Sequence, residues 1–142
     1  MTVRSEKNKS KIDIEKIVSY WVGSSDKDYD TMNNLFRSKD YHWSLFIGHL
    51  VIEKLLKAYF VKSKNEHPPF IHDLRRLAET ANLILTDDQK LFLDTVTRFN
   101  ISARYDDYKL KFYTLCTTDF TTEWIAKIKE YRKWIKETLL KL

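Results

Sequence analysis

The sequence predicts an all-α protein, a compact up-and-down helical bundle of about five helices. The chain of 142 residues has only 2 Gly and 2 Pro, too few for the turns of a hairpin-rich β fold. Hydrophobic residues make up 43% of it, which is enough to bury a continuous core. Apolar side chains also recur at helical spacing along most of the chain.

Two helices are expected before the central one. The first opens near residue 12 and is expected to break at residues 23–25, where Ser25 would cap a second helix. The polar residues 38–40 end that second helix. The central helix, residues 41–62, is apolar on nearly every face, which is typical of a helix in the middle of a bundle or under a partner subunit.

The second half of the chain predicts a short helix, a capped helix and a long final helix. Two consecutive prolines stop the central helix, and a short amphipathic helix follows over residues 72–81. Residues 86–89 match the capping-box pattern and open a helix that is expected to end near Ser102. Residues 104–108 are expected to form a polar connection. The last helix, residues 120–139, has the clearest apolar periodicity.

The N-terminal residues and the net charge limit the class of protein to which this chain can belong. Residues 1–11 are polar and lysine-rich, so we expect a flexible basic N-terminus followed by a single domain over residues 12–142. No apolar run approaches the ~20 residues of a membrane span, and residues 1–11 lack an apolar signal core, so we expect a cytoplasmic protein that does not enter a membrane. The net charge of +5 is compatible with a polyanionic partner.

A polar stripe interrupts the apolar central helix. His49, Glu53 and Lys57 follow one another at i, i+4 and i+8, and Lys54 lies beside them. Two interpretations stay open. Glu53 and Lys57 form a helical ion pair that lines a solvated groove, or the stripe faces a polar cleft where both lysines meet phosphate and Glu53 orients them.

The turn that follows the prolines contains His72 and Asp73. Asp73 is expected to cap the short helix, because its carboxylate suits the free amides there, and His72 is expected to be a turn residue. The four histidines and the lone Cys116 fit no zinc spacing. We therefore expect no metal site and no cofactor.

The sharpest candidate site lies near the end of the capped helix. Arg98, Asn100, Arg104 and Tyr105 combine two guanidinium forks with an amide and an aromatic ring, groups that bind phosphate oxygens and stack on bases. Six residues apart in an unbroken helix, the two arginines would lie about 120° apart, so we expect the helix to end between them, near Ser102. The alternative is an exposed helix terminus without a ligand.

Two segments resemble the HEPN family, a group of helical domains tied to nucleotide and RNA chemistry. Residues 53–58 and, after the proline turn, residues 72–74 resemble the family's signature, and the resemblance extends from about residue 25 to residue 140. It implies a helical bundle that forms a homodimer, with the polar motif of each subunit near the dimer cleft. It also implies a nucleotide or RNA partner.

The chain departs from the nuclease members of that family. Those members carry an arginine followed after four to six residues by a histidine. Here Arg98 matches the arginine, but Arg104 follows and no histidine comes after it. Guanidinium stays protonated and cannot act as a general base, so we assign no catalytic residue and expect no nuclease activity by the usual route.

The sequence at Arg104 and Tyr105 resembles a subgroup encoded beside a small nucleotidyltransferase. This resemblance implies a non-nuclease, nucleotide- or RNA-phosphate-binding protein in a toxin–antitoxin-like pair, with a nucleotidyltransferase as partner. Two alternatives stay open. One is a metal-independent ribonuclease toxin that uses Arg98 with Tyr105 or His72, and the other is a helical interaction module without a ligand.

Overall fold

The computed structural model describes residues 3–142, with side chains from residue 13 onward. The described part contains six α-helices and no strand, which confirms the all-α prediction and raises the number of helices from about five to six. The helices are α1 (Val3–Arg37), α2 (Tyr41–Lys64), α3 (Leu74–Thr80), α4 (Asp87–Arg104), α5 (Asp106–Leu115) and α6 (Thr118–Leu140). Met1, Thr2 and the side chains of residues 1–12 lie outside the description, so the flexibility predicted for residues 1–11 stays a prediction.

The N-terminal helix α1 runs without interruption, and the predicted break at residues 23–25 is wrong. Ser25 does not cap a helix. It is fully buried, and its Oγ donates a hydrogen bond to the carbonyl oxygen of Val51 in α2 at 2.8 Å. Gly23 is exposed within the helix, with nothing within 4 Å of where a Cβ would stand. Packing of α1 along α2 therefore overrides the weak helix propensity of the Gly-Ser-Ser sequence.

The central position predicted for α2 is confirmed, because this helix contacts each of the other five. Its buried residues cover nearly every face. Gly48 allows the close approach of its neighbours. A Cβ at Gly48 would stand 2.6 Å from Ile128 Cδ1 in α6 and 3.2 Å from Met32 Sδ in α1. A side chain at this position would require the core to shift.

The predicted caps of α3 and α4 are confirmed. The Asp73 carboxylate accepts a hydrogen bond from the Arg76 amide at 3.1 Å. Thr86 and Gln89 form a reciprocal capping box at the start of α4. The two helices are also joined directly, since the Leu74 amide donates to Thr97 Oγ1 at 3.0 Å. This bond holds the turn before α3 against the middle of α4.

The end of α4 differs from the prediction. The helix does not stop near Ser102 but continues through Arg104. Tyr105 is the only residue between α4 and α5, with an extended backbone (φ −99°, ψ 128°). The connection predicted at residues 104–108 is therefore mostly helical. Phe112 is the only buried residue of α5, so this helix has no stripe of core residues that a sequence pattern could indicate.

The long helix α6 confirms the prediction for the last part of the chain. Its apolar side packs along α2, and its aromatic residues extend the core towards α4, where the rings of Phe92 and Tyr131 stack with centroids 3.7 Å apart. Among the helices of the described chain, none is both long enough and apolar enough to cross a membrane.

Candidate functional site

A cluster of polar side chains lies between α2 and the turn that precedes α3. It consists of His49, Glu53 and Lys57 from α2 and His72 from the turn, and we call it the Glu53 cluster. The three α2 residues are 0%, 3% and 8% exposed. They do not line a solvated groove, because the turn before α3 covers His49 and Glu53 and Trp21 of α1 lies against Lys57.

Glu53 is the centre of the cluster. Its Oε1 accepts a hydrogen bond from His72 Nδ1 at 2.8 Å, and its Oε2 lies 3.3 Å from Lys57 Nζ. A buried carboxylate is costly unless it is paired and hydrogen-bonded. Here each oxygen has its own partner. The helical spacing of Glu53 and Lys57 gives one partner, and the turn after the prolines brings the other.

One ring nitrogen of His72 is hydrogen-bonded to Glu53, and the other forms no bond among the described residues. An ionised carboxylate only accepts hydrogen bonds, so the bond to Glu53 assigns the proton of a neutral His72 ring to Nδ1. Nε2 then carries the lone pair. The His72 side chain is 57% exposed, and across the described residues no hydrogen bond or ion pair is formed by its Nε2.

His49 is hydrogen-bonded to the backbone of His72. Its Nε2 donates a hydrogen bond to the carbonyl oxygen of His72 at 3.2 Å, while its Nδ1 is buried with no protein partner among the residues described. Burial lowers the pKa of His49 below 6.5, against the opposing effect of the Glu53 carboxylate. The guanidinium of Arg104, and the ring of His72 when it is protonated, also lower it. His49 is therefore a neutral residue that holds the backbone of the turn.

The two arginines of the candidate site lie on different sides of α4. Because the helix continues through Arg104, Arg98 and Arg104 point about 120° apart, and the expected convergence at a helix end is wrong. Both are exposed. Asn100, which is buried, lies four residues before Arg104 and so about 40° from it, towards the core. The charge of Arg104 makes a small contribution to the lowered pKa of His49, which belongs to the Glu53 cluster.

The other three candidate residues, Tyr105, Lys57 and Lys54, have different neighbours. Tyr105 follows Arg104 and is 53% exposed, with the guanidinium carbon of Arg104 5.8 Å from its ring centroid. Lys57 lies with its Nζ 4.9 Å from the Trp21 ring centroid. Lys54 points instead to α1, where its Nζ is 2.7 Å from Asp28 Oδ2. Its charge is therefore already paired away from the Glu53 cluster.

The structure thus brings Glu53 and Lys57 together and adds His49 and His72, which are not among the predicted phosphate-binding residues. His49 was visible as part of the stripe, since it precedes Glu53 by one helical turn. The sequence predicts that His72 is a turn residue, and it gives His72 an acid–base role only in the ribonuclease alternative. No spacing rule connects position 72 to position 53, and only the reversal of the chain at the prolines places them in contact.

Comparison with known proteins gives one match. The family model for the HEPN domain matches residues 18–138, which is most of the chain. No curated protein sequence and no solved structure shows a significant match.

Proposed function

This chain belongs to the HEPN family, and we propose that it binds the phosphate groups of a nucleotide or of RNA where Arg104 borders the Glu53 cluster. Membership of the family supports a role in nucleotide or RNA chemistry in general. The observation that carries the specific proposal is the exposed Arg104 guanidinium, which has no ion pair among the described residues and lies 5.8 Å from the ring of the exposed Tyr105. We place His72 on the same side of the bundle because the charge of Arg104 makes a small contribution to the lowered pKa of His49, whose Nε2 is bonded to the backbone of His72.

The charges around this position suit an anion. The negative charge of Glu53 would repel phosphate, but Lys57 and the Nδ1–H group of His72 both bind that carboxylate. Arg104 makes no ion pair within the described part of the chain, so its five N–H donors are free for phosphate oxygens. Buried Asn100, one helical turn before Arg104, adds a neutral amide on the same side.

Tyr105 offers a surface for a base beside the phosphate. Its ring is about half exposed and already lies near the Arg104 guanidinium. Stacking of a base on an exposed aromatic ring contributes about 1–3 kcal/mol and tolerates different bases. We therefore retain Arg104, Asn100 and Tyr105 as the contact residues, with Lys57 and Glu53 behind them.

Arg98 and Lys54 receive a smaller role. Arg98 lies about 120° around α4 from Arg104, and Lys54 is paired with Asp28. We propose that they do not contact the same ligand group as Arg104.

We also propose a homodimer. Helix α5 supports this proposal because it exposes apolar side chains that a monomer leaves in water. Leu110, Tyr113 and Leu115 are 76%, 64% and 52% exposed. The nucleotidyltransferase partner and the toxin–antitoxin-like pairing rest on the sequence resemblance alone.

Titration of a fluorescent single-stranded RNA and of mononucleotides tests the proposal. Arg104→Ala should weaken binding about tenfold or more, which corresponds to about 1.4 kcal/mol. Arg98→Ala is the matched control, because it removes the same charge from the same helix on another face, and it should stay within about twofold. Equal losses in both variants, or no loss in either, would contradict the assigned site.

A second candidate function, cleavage of RNA, is favoured by one observation. His72 combines a buried carboxylate partner with a second ring nitrogen that forms no hydrogen bond among the described residues, on a side chain that is 57% exposed, and this arrangement suits proton transfer. A third candidate is an interaction module without a ligand. It predicts that Arg104→Ala changes the oligomeric state measured by light scattering and that neither wild type nor variant binds RNA or nucleotides.

A further inference from the structure

We propose that His72 is the catalytic base with which this protein cleaves RNA, and that Glu53 is its positioning residue. The inference rests on the proposed function, because it requires that RNA phosphate is bound at the same place. It names a residue outside the motif helix α4. The family's nuclease arginine–histidine motif would place its histidine after Arg98, where this chain has Arg104.

The first step is the state of the His72 ring. The 2.8 Å bond to Glu53 Oε1 leaves the lone pair of a neutral ring on Nε2, which forms no hydrogen bond among the described residues. A histidine that rotated freely in water would present either nitrogen in any direction. The bond to a buried carboxylate selects one tautomer and one orientation, which is the task of the third residue in Ser–His–Asp sites.

The second step is the rigidity of the support. Glu53 is 3% exposed and lies in the middle of α2, so the carboxylate itself has little freedom. Lys57 Nζ holds its other oxygen at 3.3 Å. The backbone of His72 is held separately by His49 at 3.2 Å. Ring and backbone are thus both anchored to one helix, as a preorganised catalytic group requires.

The third step is the reaction that these groups permit. The 2′-hydroxyl oxygen of RNA attacks the adjacent phosphorus, and its proton passes to His72 Nε2. A bond forms between the 2′-oxygen and phosphorus, and the bond between phosphorus and the 5′-oxygen breaks. The leaving 5′-oxygen takes a proton from water, and His72 returns its proton to the solvent. The products are a 2′,3′-cyclic phosphate and a 5′-hydroxyl, so the step needs no oxidant, reductant or further co-reactant.

Arg104 complements the base in this scheme. It cannot accept a proton, but a guanidinium stabilises the negative charge that develops on the phosphoryl oxygens as the 2′-oxygen attacks. The absence of a histidine after Arg98 therefore does not remove the means to cleave RNA. It separates the two tasks between α4 and the turn before α3.

The test uses the full chain with a fluorescent single-stranded RNA, and the cleavage rate and product ends are analysed by denaturing gel and mass spectrometry. General-base removal costs about 10²–10⁴-fold, so His72→Ala should slow cleavage at least 100-fold. Free imidazole added to this variant should restore part of the rate. Glu53→Gln should lower the rate and change its pH profile, because the amide orients the ring without the carboxylate charge.

His67→Ala is the matched control, since His67 is an exposed histidine of the same connection and has no role in the cluster. It should cleave at the wild-type rate. Circular dichroism spectra that match wild type show that each variant is folded. Binding is measured separately with an RNA whose 2′-hydroxyl at the reacting position is replaced by hydrogen, which the proposed reaction cannot cut.

The outcomes separate the two proposals. Cleavage with a cyclic phosphate end that is lost in His72→Ala and partly restored by imidazole supports the inference. Binding of the deoxy-substituted RNA without cleavage of the all-RNA strand overturns the inference and leaves the proposed function standing. Cleavage that persists in His72→Ala also overturns it. If the wild-type protein neither binds nor cleaves, the proposed function fails as well.

Discussion

The Glu53 cluster and the exposed end of α4 are both rich in charge, but the fold treats them differently. In the cluster every charged group has a partner at a defined distance, such as the 2.8 Å bond from His72 to Glu53. At the end of α4, Arg98 and Arg104 are exposed and have no ion pair in the part of the chain that is described. The buried charges of the first region are fixed by pairs within the fold, whereas the two arginines of the second are not.

The difference has a physical cause. A charge inside a bundle must be paired because desolvation costs several kcal/mol, so the positions of its neighbours are set by the fold. An exposed guanidinium stays hydrated in any rotamer, and its direction is set only by its place on the helix. Stability measurements should therefore respond strongly to changes in the cluster and weakly to changes at the end of α4.

The largest effect is expected for Glu53→Leu. Lys57, with a side chain only 10% exposed, would lose its partner, and breaking a buried pair costs about 3–5 kcal/mol of unfolding free energy. Urea denaturation monitored by tryptophan fluorescence measures this loss. The double variant Glu53→Leu/Lys57→Met removes both charges, so it should recover to within about 1 kcal/mol of wild type.

Glu79→Gln is the matched surface control for that prediction. Glu79 also accepts from a cationic side chain, Arg75 at 2.7 Å, but its side chain is 50% exposed. Exposed pairs contribute about 0–1 kcal/mol. If Glu53→Leu and Glu79→Gln lower the free energy of unfolding equally, the proposed difference between buried and exposed charges in this protein is wrong.

His49 provides a test by pH. Burial holds its folded-state pKa below 6.5, its ordinary value, so below that pH the unfolded chain takes up a proton that the folded chain does not. Its contribution to stability is present above pH 6.5 and is lost as the pH falls towards the folded-state pKa. One such group changes the free energy of unfolding by at most about 1.4 kcal/mol per pH unit.

The measurement compares wild type with His49→Gln, whose amide can still donate to the His72 carbonyl. We expect the variant to lose less stability than wild type between pH 6.5 and pH 5. His42 also has a pKa lowered by burial and contributes its own acid slope to both proteins, so the difference between them is the informative quantity. If the unfolding free energies of wild type and variant fall in parallel with pH, protonation of His49 is not linked to unfolding.

The parts of the fold that the sequence predicts are those in which one periodic stripe decides the outcome. The buried helix α2 and the long helix α6 follow from apolar spacing, and the caps at Asp73 and Thr86 follow from local chemistry. The break at residues 23–25 was wrong because burial of Ser25 against α2 outweighs local propensity. Helix α5 was missed because it has one buried residue.

The candidate site was predictable only in part, for a related reason. Glu53 and Lys57 pair through helical spacing, which a sequence displays directly. The contact between Glu53 and His72 joins residues 19 positions apart across a turn, and no local rule encodes it. The two arginines failed to converge because α4 continued past Ser102, and helix ends are set by packing as well as by local signals.

A smaller effect is expected for Ser25→Ala, which extends the comparison to a buried neutral group. The substitution removes the 2.8 Å hydrogen bond to the Val51 carbonyl and should cost about 1 kcal/mol in urea denaturation. Ser19→Ala is the control, since Ser19 lies on the same helix and is exposed. It should change the unfolding free energy by less than about 0.5 kcal/mol. A neutral Ser25→Ala would mean that the buried hydroxyl does not stabilise the packing of α1 on α2.

The smallest effects are expected for Arg98→Ala and Arg104→Ala, each within about 0.5 kcal/mol of wild type by the same denaturation measurement. Neither side chain is buried, and removal of either leaves no group of the described chain unpaired. This result decides how the binding experiment is interpreted. If Arg104→Ala weakens RNA binding tenfold while the unfolding free energy stays unchanged, the loss reports contact with the ligand. If the variant is destabilised by more than about 1 kcal/mol, Arg104 belongs to the fold as Glu53 does, and the contrast between the two regions fails.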